Sequence, residues 1–564
     1  MGDTKRTNIL FKFFNLIRLE KAEISSIYFY AILGGLIQLS LPLGIQSIIS
    51  FVLGGAISTS LVLLIIVVIL GVFVGGLLKV NQMKIIEKIQ QQLFVRYSFQ
   101  YANNIPLLNL KEVDNYYLPE LTNHFFDTIS LQKSISKLLL DIPAATIQIL
   151  FGLILLSFYH PVFIFFGILL LFVVYMILRI TGNKGLETSV QESDYKYKVA
   201  AYLQELARVV KTLKFSRKNK LHIVKTDNYV SGYLNARTSH FKILLYQYWT
   251  LIIFKVLVTT AMLVVGAFLL VDQQLNIGQF IAAEIVIIMI IDSVEKLIMN
   301  LDQVYDVLTS VEKITKVTEK PLEENGTVKL SNKEPLSIRA QNISFGYSDS
   351  GIVLDNVNFQ INPGDKICIE GAYSSGKSTL LRLLSGAYRN FNGILMINNI
   401  PILNYDMLSL RPRIGVLLNI QDILSGTIRE NICLGDDSID YHRLDAVTEV
   451  TGLKPFIDGL KKGYETEIQP MGQHLSGRVI KKILLCRALV HRPQLLLLEE
   501  PWLGLEMNYA ENIKHYLLKS LKDTTVVVVT NDKLFAEQCD QVFELESGKL
   551  NILKAKDERD KGNN

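Results

Sequence analysis

The sequence predicts a membrane α-helical half of six transmembrane helices, followed by a soluble α/β P-loop NTPase domain. Three observations carry this. Of the 564 residues, 49% are hydrophobic, and the mean hydropathy of +0.29 is too high for a chain of several soluble domains. The apolar runs concentrate before residue 319. After residue 335, strand-like and helix-like runs alternate around a G-x-x-x-x-G-K-[ST] motif.

The N-terminus does not read as a signal peptide, because Lys12 breaks the apolar stretch Ile9–Ile17 and Arg18 follows. Residues 1–25, with Phe11, Phe13, Phe14 and Leu16 among basic residues, read as an interfacial amphipathic helix.

A span requires about 20 apolar residues. Six segments meet or approach this: Ser26–Val52, Ser60–Val80, Ile135–Phe158, Val162–Ile180, Ile243–Val271 and Phe280–Leu301. Their connections alternate between short turns and two long polar regions, Asn81–Ser134 and Thr181–Lys242. The second long region is rich in lysine and arginine, from Lys184 to Lys225, and the short turns carry almost none. The positive-inside bias therefore places the long regions, and with them both termini, in the cytosol. Leu203, Leu206, Val209, Val210 and Leu213 recur at helical spacing, so the long regions are expected to be helices continuing beyond the bilayer. Ionisable residues within spans face a bundle interior or a wet cavity; here they are Lys255, Glu284, Asp292 and Glu295. Lys255 and Glu295 fall at similar depth, roughly 27 Å from the turn at Asp272–Gln279 by helical rise, and are expected to pair.

Four cysteines, Cys368, Cys433, Cys486 and Cys539, lie in the soluble half at spacings that match no metal motif. Free buried thiols in a reducing compartment are expected. The net charge of +5 shows no basic patch, and no nucleic-acid partner is expected. The membrane domain is drawn as 26–318, a charged linker as 319–335, an ATP-binding domain as 336–554, and 555–564 as a disordered tail.

The motif itself is Gly371-Ala372-Tyr373-Ser374-Ser375-Gly376-Lys377-Ser378-Thr379. Glycines let the backbone approach phosphate, N–H groups and the helix N-terminus bind the anion, Lys377 reaches the β- and γ-phosphates, and Ser378 can ligate Mg²⁺. The cofactors expected are therefore ATP and Mg²⁺. The run Leu495–Leu498 ends in Glu499-Glu500, placing one carboxylate to hold the metal and a second to position water.

With these in place, the chain resembles the ABC exporter family along nearly its whole length. Tyr347 matches the aromatic that stacks on adenine, and Ser425–Ile432 matches a stretch typical of exporter cassettes. Leu475-Ser476-Gly477 opens the signature motif, and Arg487-Ala488-Leu489 matches the helix behind it. The membrane half resembles the haemolysin and bacteriocin exporter branch through Ser40–Leu43, Gly278–Ala282 and Leu203–Leu206. That branch exports peptides or proteins and often carries an N-terminal peptidase-like domain; with only a short stretch before Ser26, none is expected here.

The resemblance implies a bacterial inner-membrane location and a dimer with a second half-transporter chain, identical or different. Membrane lipid and a transported substrate would be its other partners. Two cassettes sandwich two ATP molecules in this family, each P-loop facing the other chain's signature, here Ser476 and Gly477. The resemblance also implies that Pro119–Asp127 and the stretch around Asp194 press on the nucleotide domains.

Departures from the family pattern are as informative. The Q-loop position, a metal-site residue, holds Asn419, with Gln421 two residues late. The signature continues as Arg478-Val479. The Walker B aspartate is Glu499, the D-loop reads Leu503-Gly504-Leu505-Glu506, and the switch histidine is Asn531. Asn531 can hydrogen-bond a γ-phosphate but cannot become cationic near neutral pH. Glu500, Lys377 and Asn531 are the expected catalytic set. Two functions follow: an ATP-driven exporter, or a catalytically weak ATP-sensing subunit that regulates or pairs with a consensus partner.

Overall fold

The computed structural model describes residues 11–13, 18, 20–54, 59–113, 118–215, 220–331, 334–347, 351–419 and 421–555. Most of the expected interfacial helix and nearly all of the expected tail lie outside these. The chain divides into two units, residues 1–107 with 116–320, and residues 108–115 with 321–564.

The first unit holds six helical stretches long and apolar enough to cross a membrane. The first is interrupted: one helix ends at Gln38 and the next begins at Ser40. Pro42 has no N–H to return to the Gln38 carbonyl and its ring crowds that oxygen, which breaks the ladder there. The second spans Thr59–Asn104, 46 residues, or about 69 Å at helical rise. The third, fourth and fifth span Asp127–Tyr159, Val162–Arg208 and Leu221–Val271. The long polar regions are thus largely continuations of the spans, as their periodicity predicts. The sixth span, Ile277–Met299, starts on a reciprocal capping box between Asn276 and Gln279. A further helix, Leu301–Thr318, follows it.

Polar contacts fix the register of this bundle. Lys255 is paired with Glu295, as their matched depth predicts. Glu284 is half-buried and Asp292 exposed. Gln247 donates to Thr181 Oγ1 at 2.7 Å and to Tyr305 Oη at 3.0 Å. Asn123 and Gln204 exchange side-chain hydrogen bonds at 2.9 and 3.0 Å, so Gln204 of the Leu203–Leu206 motif pins the loop before the third span. Large apolar side chains such as Phe73, Phe158, Phe165 and Phe268 point outward along the spans. They present an apolar surface of the kind that water does not cover favourably.

One residue in each of the two expected coupling stretches is anchored within the first unit. Within Pro119–Asp127, the Asp127 side chain is buried in the first unit, where it meets Lys196 at 3.2 Å. Asp194 is bound by Lys313, also in that unit. The segment 108–115, for its part, groups with the second unit. Leu108 forms an antiparallel bridge with Leu322, the Asn109 N–H donates to the Pro321 carbonyl at 3.1 Å, and Leu110 packs on that unit's core. Short-range pattern could not show this, because the partner strand lies two hundred residues away.

Within the second unit, the linker segment is hydrogen-bonded to its neighbours. Val328 N–H donates to Asn404 O at 2.9 Å and Asp406 N–H to Val328 O at 2.8 Å. Glu323 takes a two-pronged hydrogen bond from Arg411, at 2.6 and 2.5 Å.

The second unit is α/β. A six-stranded sheet runs in the order β12-β11-β3-β10-β9-β6. Its members are β3 (Lys366–Glu370), β6 (Ile414–Leu417), β9 (Leu495–Glu499), β10 (Thr525–Val529), β11 (Gln541–Glu546) and β12 (Lys549–Lys554). All neighbours are parallel except the edge pair β11–β12. β9 and β10 are buried end to end, which is why they read as unbroken Leu and Val runs rather than alternating patterns. A four-stranded antiparallel sheet, β2-β1-β4-β5, flanks it. It is built from β1 (Ile338–Gly346), β2 (Ile352–Ile361), β4 (Asn392–Ile397) and β5 (Ile400–Pro401). All four cysteines are free and buried.

Candidate functional site

Three parallel strands place the site. β3, β10 and β9 lie side by side with Ile369, Val529 and Glu499 in register. The segments leaving their carboxyl ends therefore converge on one edge, where α/β sheets bind ligands. These segments are the P-loop, Thr530-Asn531, and Glu499-Glu500.

The P-loop joins β3 to the helix Lys377–Leu384. Its shape needs glycine. Gly371 has φ +146°, and a Cβ there would stand 2.2 Å from the Leu545 carbonyl. Gly376 has φ +106°, with Leu354 Cδ2 at 2.9 Å from such a Cβ. Ser374 also holds positive φ, 62°, and Ser375 is buried. The Lys377 ammonium is folded onto the loop, 2.8 Å from Gly371 O, 2.6 Å from Ala372 O and 3.4 Å from Ser375 Oγ. Burial pulls this ammonium below its ordinary pKa, and the carboxylates of Glu500 and Glu499 oppose the shift.

Glu499 is buried. One of its oxygens accepts from the Ser378 hydroxyl. The other accepts from the Asn419 backbone N–H at 3.1 Å. Ser378 and Glu499 thus meet as expected, whereas Asn419 reaches them through its main chain. Gln421 turns back on its own strand end, donating to Val416 O at 3.3 Å and accepting from Leu418 N–H at 3.3 Å. A hydroxyl beside a carboxylate is the hard-oxygen donor set that suits Mg²⁺.

Glu500 sits in the left-handed region, φ 46°, a conformation that costs a non-glycine residue about 1–3 kcal/mol and is common where function fixes a side chain. Its carboxylate accepts from Thr530 Oγ1 at 3.1 Å. Next along the chain, Asn531 Oδ1 accepts from the Gly371 N–H at 3.2 Å. The residues after β10 thereby hold both Glu500 and the start of the P-loop. Thr530 carries no family signal in the sequence, and its role emerges only from strand adjacency.

Tyr347 is brought to the back of the P-loop helix. Its hydroxyl lies 3.1 Å from Thr379 Oγ1 and accepts from Arg382 at 2.8 Å. The ring is wedged edge-on between Phe345 and Tyr388.

The signature segment starts a separate helix, Gly477–Val490, N-capped by Ser476 through Val479 N–H at 3.3 Å. Space around Gly477 is open. Arg478 is exposed and stands 3.8 Å from Glu506, whose other oxygen takes the Lys482 ammonium at 2.9 Å. Within this chain, Arg478 therefore faces the D-loop position Glu506. Lys481 donates to Leu503 O at 3.0 Å. Burial lowers its pKa, opposed by Glu500 and Glu499. Neither lysine was singled out from the sequence.

Comparison with known proteins agrees with this geometry. Residues 354–503 match the family model of the ABC transporter ATP-binding region, described as "ABC transporter". Residues 25–294 match the "ABC transporter transmembrane region". Leukotoxin export ATP-binding protein LtxB of Aggregatibacter actinomycetemcomitans is 31% identical over 287 residues, covering 50% of this chain and 40% of that protein. Leukotoxin translocation ATP-binding protein LktB of Mannheimia haemolytica matches to the same extent. The aligned part of the chain thus spans about two fifths of these relatives. A solved bacterial Atm1-family ABC exporter with ATP bound superposes with a TM-score of 0.83 over 94% of this chain and 95% of that one, at 18% identity. That likeness is one of fold.

Proposed function

The chain belongs to the ABC transporter family, as a half-transporter that joins an integral membrane helical region to an ATP-binding cassette, and on that premise we propose that it exports a peptide or protein by ATP-driven alternating access. Half-transporters of this kind work as dimers. The observation that carries the reading is the convergence of Lys377, Ser378, Glu499 and Glu500 at one sheet edge, in a chain that retains six spans. The names of the leukotoxin exporters support the substrate class. The charge bias of the long polar regions supports a cytosolic cassette and cytosolic termini in a bacterial inner membrane.

In this reading, ATP stacks its base against Tyr347 and lays its phosphates along Ser374–Thr379. The N–H groups of the loop and the helix N-terminus neutralise them. Lys377 exchanges the carbonyls of Gly371 and Ala372 for phosphate oxygens. Ser378 and Glu499 would hold Mg²⁺, which draws charge from the β- and γ-phosphates. Glu500, aimed by Thr530, orients the attacking water and accepts its proton. Ser476 and Gly477 close the site from a second chain, identical or different.

A second reading has its own support. Asn531 cannot supply a cation, and Arg478 occupies a position where the family has glycine, so the chain can be the weak half of a pair. ATP turnover by the lipid-reconstituted protein separates the two, with Glu500→Gln as control. Turnover that vanishes in the variant supports a working homodimer. Intact nucleotide binding without turnover overturns the homodimeric ATPase and favours the second reading.

A further inference from the structure

The helical unit contains a polar cavity of about 100 Å³. Its ionisable walls are Asp127, Glu192, Lys196, Arg237, His240 and Asp306, four of them formally paired and His240 taken up by neutral and acidic partners. All lie beyond the apolar stretches of their helices, on the side of the long polar regions. None belongs to the nucleotide site.

The charges do not cancel within it. Lys196 meets Asp127 at 3.2 Å, and Arg237 meets Glu192 at 2.9 Å. His240 is used on both sides, by Thr188 Oγ1 at 2.9 Å and by Asp302 at 3.3 Å. Among the described residues, no hydrogen bond or ion pair reaches Asp306. The charges that act on it come from Asp302 on its own helix, His240 on the fifth span's helix, and Glu192 and Lys196 on the fourth's. One carboxylate is thus left over in a space with room for a few waters.

Hydroxyls line the same cavity. Thr309 and Ser310 follow Asp306 by three and four residues and share its helix face. Ser189 Oγ lies 2.9 Å from Thr309 Oγ1. Ser193 lines the same cavity, is only 7% exposed, and among the described residues its hydroxyl has no hydrogen-bond partner. A buried hydroxyl left unpaired costs about 1–3 kcal/mol, so a ligand or water should meet it. The described residues hold no cluster of three or more His, Cys, Asp or Glu suited to a metal, which argues against a divalent or transition ion. One surplus negative charge among neutral oxygens suits a hard ion of charge +1.

We propose that this cavity binds one alkali cation, with Asp306 supplying the charge and Ser193 a neutral oxygen ligand. The ion ties the fourth span's helix to the helix Leu301–Thr318.

The test follows thermal unfolding of the full chain in nanodiscs near neutral pH, at constant ionic strength, in sodium, potassium, lithium or choline chloride. One alkali ion is expected to raise Tm by ~3 °C or more over choline, saturably. Asp306→Asn should remove the shift, and Ser193→Ala should raise the concentration needed by ~10-fold, about one lost oxygen contact. Ser193 has no internal bond to lose, so S193A keeps the test sound if D306N does not fold; retained binding of a fluorescent ATP analogue reports folding in each. Equal Tm in all four salts, an alkali shift kept in folded D306N, or an unchanged half-saturating alkali concentration in S193A would overturn the proposal. So would a shift that acidification reproduces in choline and to which alkali ions add nothing, because the cavity would then bind a proton only.

Discussion

The Asn531 side chain accepts a hydrogen bond from the Gly371 N–H at 3.2 Å, latching the end of β10 to the first residue of the P-loop. An imidazole at this position accepts that bond when neutral and, once protonated, gives it up and carries positive charge. Asn531→His is therefore expected to raise ATP turnover several-fold, with a new limb in the pH profile near ~6.5. Turnover measured across pH checks this; an unchanged profile would show that position 531 does not limit the reaction.

The longer carboxylate of Glu499 lets it touch Ser378 directly. Glu499→Asp withdraws it by one methylene and opens room between hydroxyl and carboxylate for a hydrated Mg²⁺, which keeps several waters. The half-saturating Mg²⁺ concentration for turnover should fall, by ~3-fold or more, within the range that ligand-shell changes produce. A rise instead would mean that the native contact is itself the better metal site.

Glu500 is aimed by Thr530. Glu500→Gln should cut turnover by ~10²-fold or more while ATP affinity stays, because a water-positioning base acts only in the chemical step. Thr530→Val keeps the carboxylate but removes its aim, so a smaller loss, ~3–10-fold in kcat with KM nearly unchanged, is expected. Lys377→Ala behaves differently. It removes a charged phosphate contact of ~1.5–3 kcal/mol and should weaken nucleotide binding by ~10-fold or more in an equilibrium titration.

At Gly371, any side chain meets the Leu545 carbonyl in a strained backbone region. Gly371→Ala should lose nucleotide binding and lower the cassette's unfolding temperature, by an amount corresponding to ~2 kcal/mol or more. A melt equal to wild type would mean that the loop shifts freely.

Lys255 and Glu295 neutralise each other within the spans. Either charge left alone there loses its partner inside the span, at a cost below the ~2.5–3.5 kcal/mol of the bilayer centre because the pair lies towards the cytosolic face. Lys255→Glu and Glu295→Lys should each lower the yield of folded protein, and the double swap should restore much of it. A double variant no better than the singles would sink the pairing.

Much of this was legible along the chain. Spans show as runs of about twenty apolar residues because the bilayer has a fixed thickness, and the two long polar regions show as helices because their apolar positions keep helical spacing. The P-loop is readable because phosphate binding needs glycines and a lysine at fixed offsets. Lys255 and Glu295 could be paired because helical rise converts sequence distance into depth.

Other features were decided by tertiary structure. Asn419 occupies the expected metal position in the alignment of motifs, yet contributes a backbone N–H, because the side-chain direction depends on how the loop leaves β6. Segment 108–115 groups with the cassette unit through Leu108 and Leu322, a pairing that no local pattern announces. Thr530 became a partner of Glu500 only when β9 and β10 lay side by side, and Asp306 was seen to lack a counter-charge only once the ion pairs around it were placed. By itself, the sequence determined which segments are long and apolar enough to cross a membrane, which loop carries the phosphate-binding pattern and which consensus residues are replaced, since these follow from local composition and spacing. Which side chains meet across helices and strands was decided by the folded packing, because hydrogen bonds and ion pairs act over a few ångströms between residues that the chain keeps far apart.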